Sequence, residues 1–204
     1  GQGKNARFAM YPCPGVRKFV ELPKAPIRGL FAQNNRAFAA AGSAVYELID
    51  NGSYVERMSI AVDQYPVTFA SNGDAGNQLA ACSGDRVYVL RLNTNVFAGA
   101  VASDVTMIDY LDGYVLGLDI NESRLRISNL ADAETWQASQ NSQRNTAADR
   151  WQHMIVANRL IHLFGSETSE CWADLGTSPY PFGAVIESFR QVGIMNPFAG
   201  CDAG

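Results

Sequence analysis

The sequence predicts an all-β fold: a β-propeller of about four visible antiparallel blades of roughly 40 residues each, part of a larger propeller. Three observations carry this reading. One hairpin pattern recurs four times along the chain. An aromatic residue returns at a fixed place in that pattern. The composition, with 47% hydrophobic and 18% charged residues and 18 glycines, is that of a turn-rich globular chain rather than a disordered one.

Residues 1–25 read as a basic N-terminal arm closed by a Pro/Gly turn. In YPCPGVRKF (Tyr11 to Phe19), each proline lacks an N–H and pushes the residue before it toward an extended conformation, and a glycine follows. Pro12, Pro14 and Gly15 are therefore the expected structural turn. Residues 1–36 carry seven basic side chains against Glu21 alone, a balance of +6; the other 168 residues hold nine basic and nineteen acidic groups, a balance of −10. Such asymmetry marks either a solvated arm or one that docks on an acidic partner or nucleic acid. Lys4, Arg7, Arg17 and Lys18 are the candidate docking residues.

The tandem blades occupy residues 26–190, divided at about 26–65, 66–103, 104–148 and 149–190. Their hairpins are NNRAFAAAGSAVYEL from Asn34, GNQLAACSGDRVYVL from Gly76, DGYVLGLDINESRLRIS from Asp112 and ANRLIHLFGSETSECWAD from Ala157. Tyr46, Tyr88 and Trp172 fill equivalent places, with Arg126 or Leu125 the nearest match in the third unit. An apolar first strand precedes each hairpin, at Ile27–Ala32, Val67–Ala70, Val105–Leu111 and Met154–Val156. A fourth strand follows in most units, such as Tyr54–Ile60 or Val96–Val101. Residues 131–150 lack an apolar stripe and read as a polar excursion between blades. Residues 191–204 read as the lead into a further blade or a tail. Four blades either close a small ring or form an arc of a larger one; the second is the expectation. A meandering β-sandwich is the alternative fold.

Chemical motifs are sparse. The cysteines at 13, 82, 171 and 201 form no C-x-x-C pair, and His153 and His162 are the only histidines, so the usual zinc spacings are missing. Free, mostly buried thiols are expected. GQGKNA at residues 1–6 has no preceding strand to make it a dinucleotide loop. Asp119 to Ser123 lacks the glycine and distal glutamate of a calcium loop and reads as a hairpin turn. Neither histidine lies near a nucleophile elbow; His162 should pack on a strand face, and His153 should sit in a polar approach to the strand. No catalytic residue, metal ligand, cofactor or small-molecule substrate is predicted, and no apolar run approaches the length of a membrane span.

YPCPGVRKF followed by IRGLFAQNNRAFAAAGSAVYEL resembles the opening of a phage family, the packaged-DNA stabilisation proteins or tail accessory factors of short-tailed phages. Asp112, Gly113, Tyr114, Ser128, Leu130 and Trp136 match a second stretch of that family. Leu163, Phe164, Gly165, Thr168, Glu170, Trp172, Gly176, Pro181 and Phe182 match a third. Together the likeness covers residues 8–198, though full-length members continue for several hundred residues more. It implies a non-enzymatic protein of the virion tail, assembled in the host cytoplasm, that joins the tail below the portal, plugs the channel and retains packaged DNA. The implied partners are portal-adaptor and other tail proteins, further copies of itself in a hexamer, and channel DNA without sequence specificity; no membrane is implied. The other readings are a propeller enzyme, which needs convergent carboxylates or metal ligands, and a carbohydrate- or protein-binding propeller, which needs a repeated polar or aromatic loop residue.

Overall fold

The computed structural model describes Gly15 and residues 17–200. Four four-stranded antiparallel sheets follow one another, each with its strands in chain order. The first holds β1 (Ile27–Gln33), β2 (Arg36–Ala41), β3 (Ala44–Leu48) and β4 (Tyr54–Ser59); the second β5 (Thr68–Ser71), β6 (Gln78–Ser83), β7 (Arg86–Arg91) and β8 (Val96–Ser103). The third holds β9 (Met107–Leu111), β10 (Tyr114–Asp119), β11 (Arg124–Ile127) and β12 (Asn141–Gln143); the fourth β13 (Trp151–Ala157), β14 (Leu160–Gly165), β15 (Ser169–Asp174) and β16 (Phe182–Ala184). The helix α1 (Gly73–Gly76) is a single turn.

Local sequence explains the tight turns. Asn34-Asn35 joins β1 to β2 with φ of 49° and 57°, and Gly84-Asp85 joins β6 to β7 with 60° and 55°. Two-residue hairpin turns of this kind need positive φ at both positions, which Asn, Asp and Gly tolerate best. The turn types fix strand register, and register then decides which side chains face which neighbour.

Each sheet packs face to face on the next. We call the face toward the preceding blade leading and the other trailing. Phe38, Ala40, Val45 and Met58 on the trailing face of blade 1 meet Leu79, Ala81, Tyr88 and Leu90 on the leading face of blade 2. Ala80, Cys82, Val87 and Val89 then meet Val105, Ile108 and Val115 of blade 3. Leu116, Leu118, Leu125 and Ile127 meet Met154, Ile161, Leu163 and Trp172 of blade 4. Because both faces of a middle blade are covered, β6 is buried along its whole length and shows no polar alternation. The first strands β1, β5, β9 and β13 are neighbours in that order, so they line the inner side of an arc.

The recurring aromatics are explained by this packing. Tyr46, Tyr88 and Trp172 are 0%, 6% and 5% exposed, and the last two sit in the seam with the preceding blade. In blade 3 the same register holds Arg126, paired with Gly117. A Cβ on Gly117 would lie 2.9 Å from a Val105 methyl and 3.1 Å from Cζ3 of Trp136. Trp136 thus supplies from a loop the aromatic bulk that the strand lacks.

Two expectations need correction. Residues 131–150 are not simply a polar excursion: they contain the edge strand β12, the buried Ala133, and Trp136 packed into the seam between blades 2 and 3. Nor does His153 sit in a polar approach. It lies within β13, 7% exposed, with its ring 6.5 Å from Phe164 and 6.1 Å from Phe198. Cys82 is buried and free and Cys171 is half-buried and free, while Cys13 and Cys201 lie outside the described residues.

Candidate interaction surface

Several charged side chains tie strands together within a blade or across to the next. Arg36 donates to both carboxylate oxygens of Glu47, at 2.6 and 2.9 Å, and Arg57 donates to Glu47 Oε2 at 2.7 Å. The same Arg36 crosses to blade 2, donating to the Leu92 carbonyl at 2.8 Å and to Asn95 Oδ1 at 2.6 Å. Between blades 2 and 3, Glu134 accepts from Arg91 at 2.6 and 2.5 Å and from Gln78 at 3.0 Å. Between blades 3 and 4, Asp109 accepts the Val156 N–H at 2.8 Å. Arg144, in the loop after β12, reaches Asp149 at 3.1 Å and Glu170 at 3.2 Å. The Glu170 contact with Arg144 Nε is an ion pair without hydrogen-bond geometry, since that Nε has no directed partner.

These contacts set a pH dependence. The Arg36 hydrogen bond is the main reason Glu47 titrates below its ordinary value, helped by Arg57. Arg91 does the same for Glu134. Burial alone would raise Asp149, but the Glu167 N–H, the Thr168 hydroxyl and N–H, and the Arg144 charge outweigh it and the net shift is downward. A depressed folded-state value gives stability that is present above the unfolded value and lost as pH falls through the folded one. Asp109 acts with the opposite sign, since burial pushes it up. Asp132 is depressed as well, its hydrogen bonds outweighing burial, so the depressed carboxylates outnumber Asp109 and the melting temperature should fall as pH drops below about 4.5. Glu47→Gln should flatten that slope; an unchanged slope in thermal melts across the acid range would refute the assignment.

The surfaces left over lie at the two ends of the arc. On the leading face of blade 1, cross-strand pairing puts Ile27, Leu30, Ala39, Ala41, Tyr46, Leu48 and Tyr54 on one side. Lead-in residues 18–25 cross this face, with Leu22 packed against the patch of Ala41, Ala44 and Tyr46. A groove of about 540 Å³ remains, lined by Phe19, Val20, Leu22, Ile27, Leu30 and Leu48 among others. Leu30 stays 71% exposed there. On the trailing face of blade 4, Ile155, His162 and Cys171 form one cross-strand row, with Cys171 Sγ 3.3 Å from His162 Nδ1. Burial raises the Cys171 thiol, which disfavours its thiolate form. The chain after β16 runs past this face, with the Ile194 N–H on the Gly165 carbonyl and the Phe198 ring tilted 32° against Tyr65 at 5.3 Å.

Of the candidate docking residues, Lys4 and Arg7 lie outside the described residues, as do Pro12 and Pro14 of the expected turn. Gly15 is exposed, and a Cβ there would meet none of the described atoms within 4 Å. Arg17 and Lys18 are exposed at the head of the lead-in segment and flank a shallow cleft with Asp50, Asn51 and Gly52. Lys18 also pairs with Glu21, and Lys24 with Glu56 at 3.6 Å. Among the described residues no group of three His, Cys, Asp or Glu side chains is placed to hold a metal ion, and no helix is long and apolar enough to cross a membrane.

Residues of the recurring motifs turn out to build seams. Tyr114 meets Phe182 edge to face at 5.6 Å across blades 3 and 4, and Trp172 meets Trp151 at 5.4 Å. Ser128 Oγ accepts the Val115 N–H at 3.0 Å, and Glu170 accepts from Trp151 Nε1 at 3.0 Å. Sequence reasoning missed Arg144, Arg36 and Glu47, because an ion pair between strands leaves no local pattern.

A family model described as "Bacteriophage P22 Gp10, beta-propeller" matches residues 2–204. No curated protein matches the chain. Among solved structures, the N-terminal domain of Nup159 is similar at a TM-score of 0.52 and 11% identity, over 82% of this chain and 49% of that one. The BBS1N chain solved with ARL6DN gives 0.53 and 9%, over 72% and 48%. The computationally designed Ika4 protein gives 0.53 and 12%, over 77% and 98%. The chain therefore spans about half the length of the first two. Identities this low show the fold alone.

Proposed function

The chain belongs to the phage family described as Bacteriophage P22 Gp10, β-propeller, and on that premise we propose that it joins a short-tailed phage tail below the portal, plugs the channel and retains packaged DNA. Membership gives a phage-tail and DNA-stabilisation role in general, and a virion component that is structural. The single observation that carries the reading is the family match across residues 2–204. The buried Glu47 and Glu170 and the half-buried Glu134 and Asp149 support it, since all are engaged in ties between or within blades, as a scaffold requires.

The finer reading assigns partners. The basic arm, with Lys4, Arg7, Arg17 and Lys18, docks on an acidic adaptor surface, and copies associate around the channel as a hexamer. The body, at −10 beyond residue 36, does not grip phosphates, which suits a conduit through which DNA later leaves. Assembly takes place in the host cytoplasm. Replacing all four basic residues by glutamate should abolish incorporation into tails while the isolated chain keeps its far-ultraviolet circular dichroism. Wild-type incorporation of that variant would sink the docking role. Particles assembled without the protein should lose their DNA; stable, DNA-filled particles lacking it would sink the plug.

A further inference from the structure

We propose that residues 193–200 form an acid-released latch. While His153 is neutral they hold the trailing face of blade 4 to the linker between blades 1 and 2, and they let go when His153 takes up a proton. This rests on the packing around His153 and not on the role in the tail.

The latch has one firm end and one light end. At the firm end the Ile194 N–H donates to the Gly165 carbonyl at 2.9 Å, and a Cβ on Gly193 would come within 2.3 Å of the Ser166 carbonyl carbon. Met195 is then 88% exposed. Among the described residues, no backbone hydrogen bond joins residues 195–200 to a sheet; the Ala199 N–H only closes a turn onto the Asn196 carbonyl. His153 is the centre of what holds the light end. The Phe198 ring stands 6.1 Å from the His153 ring and 5.3 Å from Tyr65 in the linker. Gly200 approaches until a Cβ would sit 2.7 Å from His153 Cδ2 and 2.9 Å from Ile155 Cδ1. Phe198 keeps φ at 62°, a left-handed conformation that persists in a bulky L-residue only under restraint. Segments with so few ties open at the low end of the stability range.

The place that holds His153 favours a neutral ring. It is 7% exposed between Phe198 and Phe164, and neither ring nitrogen has a directed hydrogen-bond partner. The elements packed round it offer no free anion to an imidazolium. β13 carries no carboxylate, lysine or arginine from Trp151 to Ala157, and neither does the latch from Gly193 to Gly200. On the same face β14 presents His162, and β15 presents Ser169 and Cys171. Arg190, paired through its backbone with Ser169, is itself a cation. In the linker the Asp63 carboxylate is taken up by Arg28 and by the N–H groups of Tyr65 and Gly84. Burial outweighs the Gly200 backbone, which favours the charged ring, and holds His153 below its ordinary value of 6.5. A released His153 regains that value. Docking is therefore at full strength above it and weakens as pH falls below it, by up to about tenfold per pH unit until the docked value is passed. The arginine-tied carboxylates act only below about 4.5, so the two windows are separate.

Nuclear magnetic resonance of the whole chain with labelled aromatic rings, followed from about pH 8 to about pH 5, tests this. The Phe198 and Tyr65 ring signals should leave their docked positions as pH falls below 6.5, in step with protonation of His153 and with unchanged circular dichroism. His153→Phe keeps an apolar ring between Phe164 and Phe198, and there the docked signals should persist to the acid end. His162→Gln removes the other histidine and should leave the release in place. Gly200→Ala, whose methyl has no room beside His153, should show the released signals already at the alkaline end. Docked Phe198 signals in the unaltered protein at the acid end would overturn the proposal. So would a release that persists in His153→Phe, or one that disappears in His162→Gln.

Discussion

Replacing Arg144 with methionine is expected to cost about 3–5 kcal/mol of folding stability, because it strands two buried carboxylates. The Arg144 side chain is 1% exposed, Asp149 9% and Glu170 2%. Its Nη1 also donates to the Asp149 carbonyl at 2.6 Å, and its Nη2 to the Thr168 hydroxyl. Asp149 has its own donors in the N–H groups of Glu167 and Thr168, and Glu170 has Thr146 and Trp151 Nε1. Removing the guanidinium therefore leaves hydrogen-bonded anions with no counter-charge, in a site too buried for water to compensate fully. Urea unfolding at neutral pH measures the loss. Arg144→Lys should recover only part of it, since an ammonium cannot reach Asp149, Glu170 and Thr168 with one planar group. A loss below about 1 kcal/mol, the range of exposed ion pairs, would show that the cluster is effectively solvated.

Trp172→Ala should cost a similar amount, about 3–5 kcal/mol, for a different reason. The indole is 5% exposed and stands edge to face on Trp151, with Leu116, Leu125 and Ile161 in the same core. Truncation opens a cavity between two sheets that are each held by their own backbone ladders and so cannot collapse to fill it. Tyr54→Ala is the control: Tyr54 touches Tyr46 at 5.4 Å but is 40% exposed, so the loss there should be much smaller. Equal losses at the two sites in denaturant unfolding would count against the seam as the seat of stability.

The four blades were legible because each hairpin carries its own signals. Asn34-Asn35 and Asp112-Gly113 mark turns, alternation in residues 160–164 marks a strand, and the aromatic spacing counts the units. β12 was not legible: Asn141-Ser142-Gln143 is a short, half-buried edge strand with no apolar face, and it pairs through its backbone with Arg124–Arg126. His153 misled for a related reason. A histidine flanked by Gln152 looks polar, yet its ring is enclosed by Phe164 and by Phe198, which lies 45 positions further along the chain. The interaction surface was half legible. Charge asymmetry pointed to Arg17 and Lys18, while the apolar groove beside them arises from pairing of β1, β2 and β3 and is invisible in any single segment.

Trp136 bears on how such proteins can diversify. Tandem blades invite exchange by recombination, since each is a contiguous stretch that folds on local turns. Blade 3 is an exception, because the indole completing its leading face lies beyond its third strand, and the Gly117 that admits the indole lies before it. A crossover between those two positions would pair a glycine with no tryptophan, leaving a hole, or a larger side chain with a tryptophan, forcing a clash. Genetic exchange in this lineage should therefore fall outside residues 117–136, and the two positions should change together when they change at all.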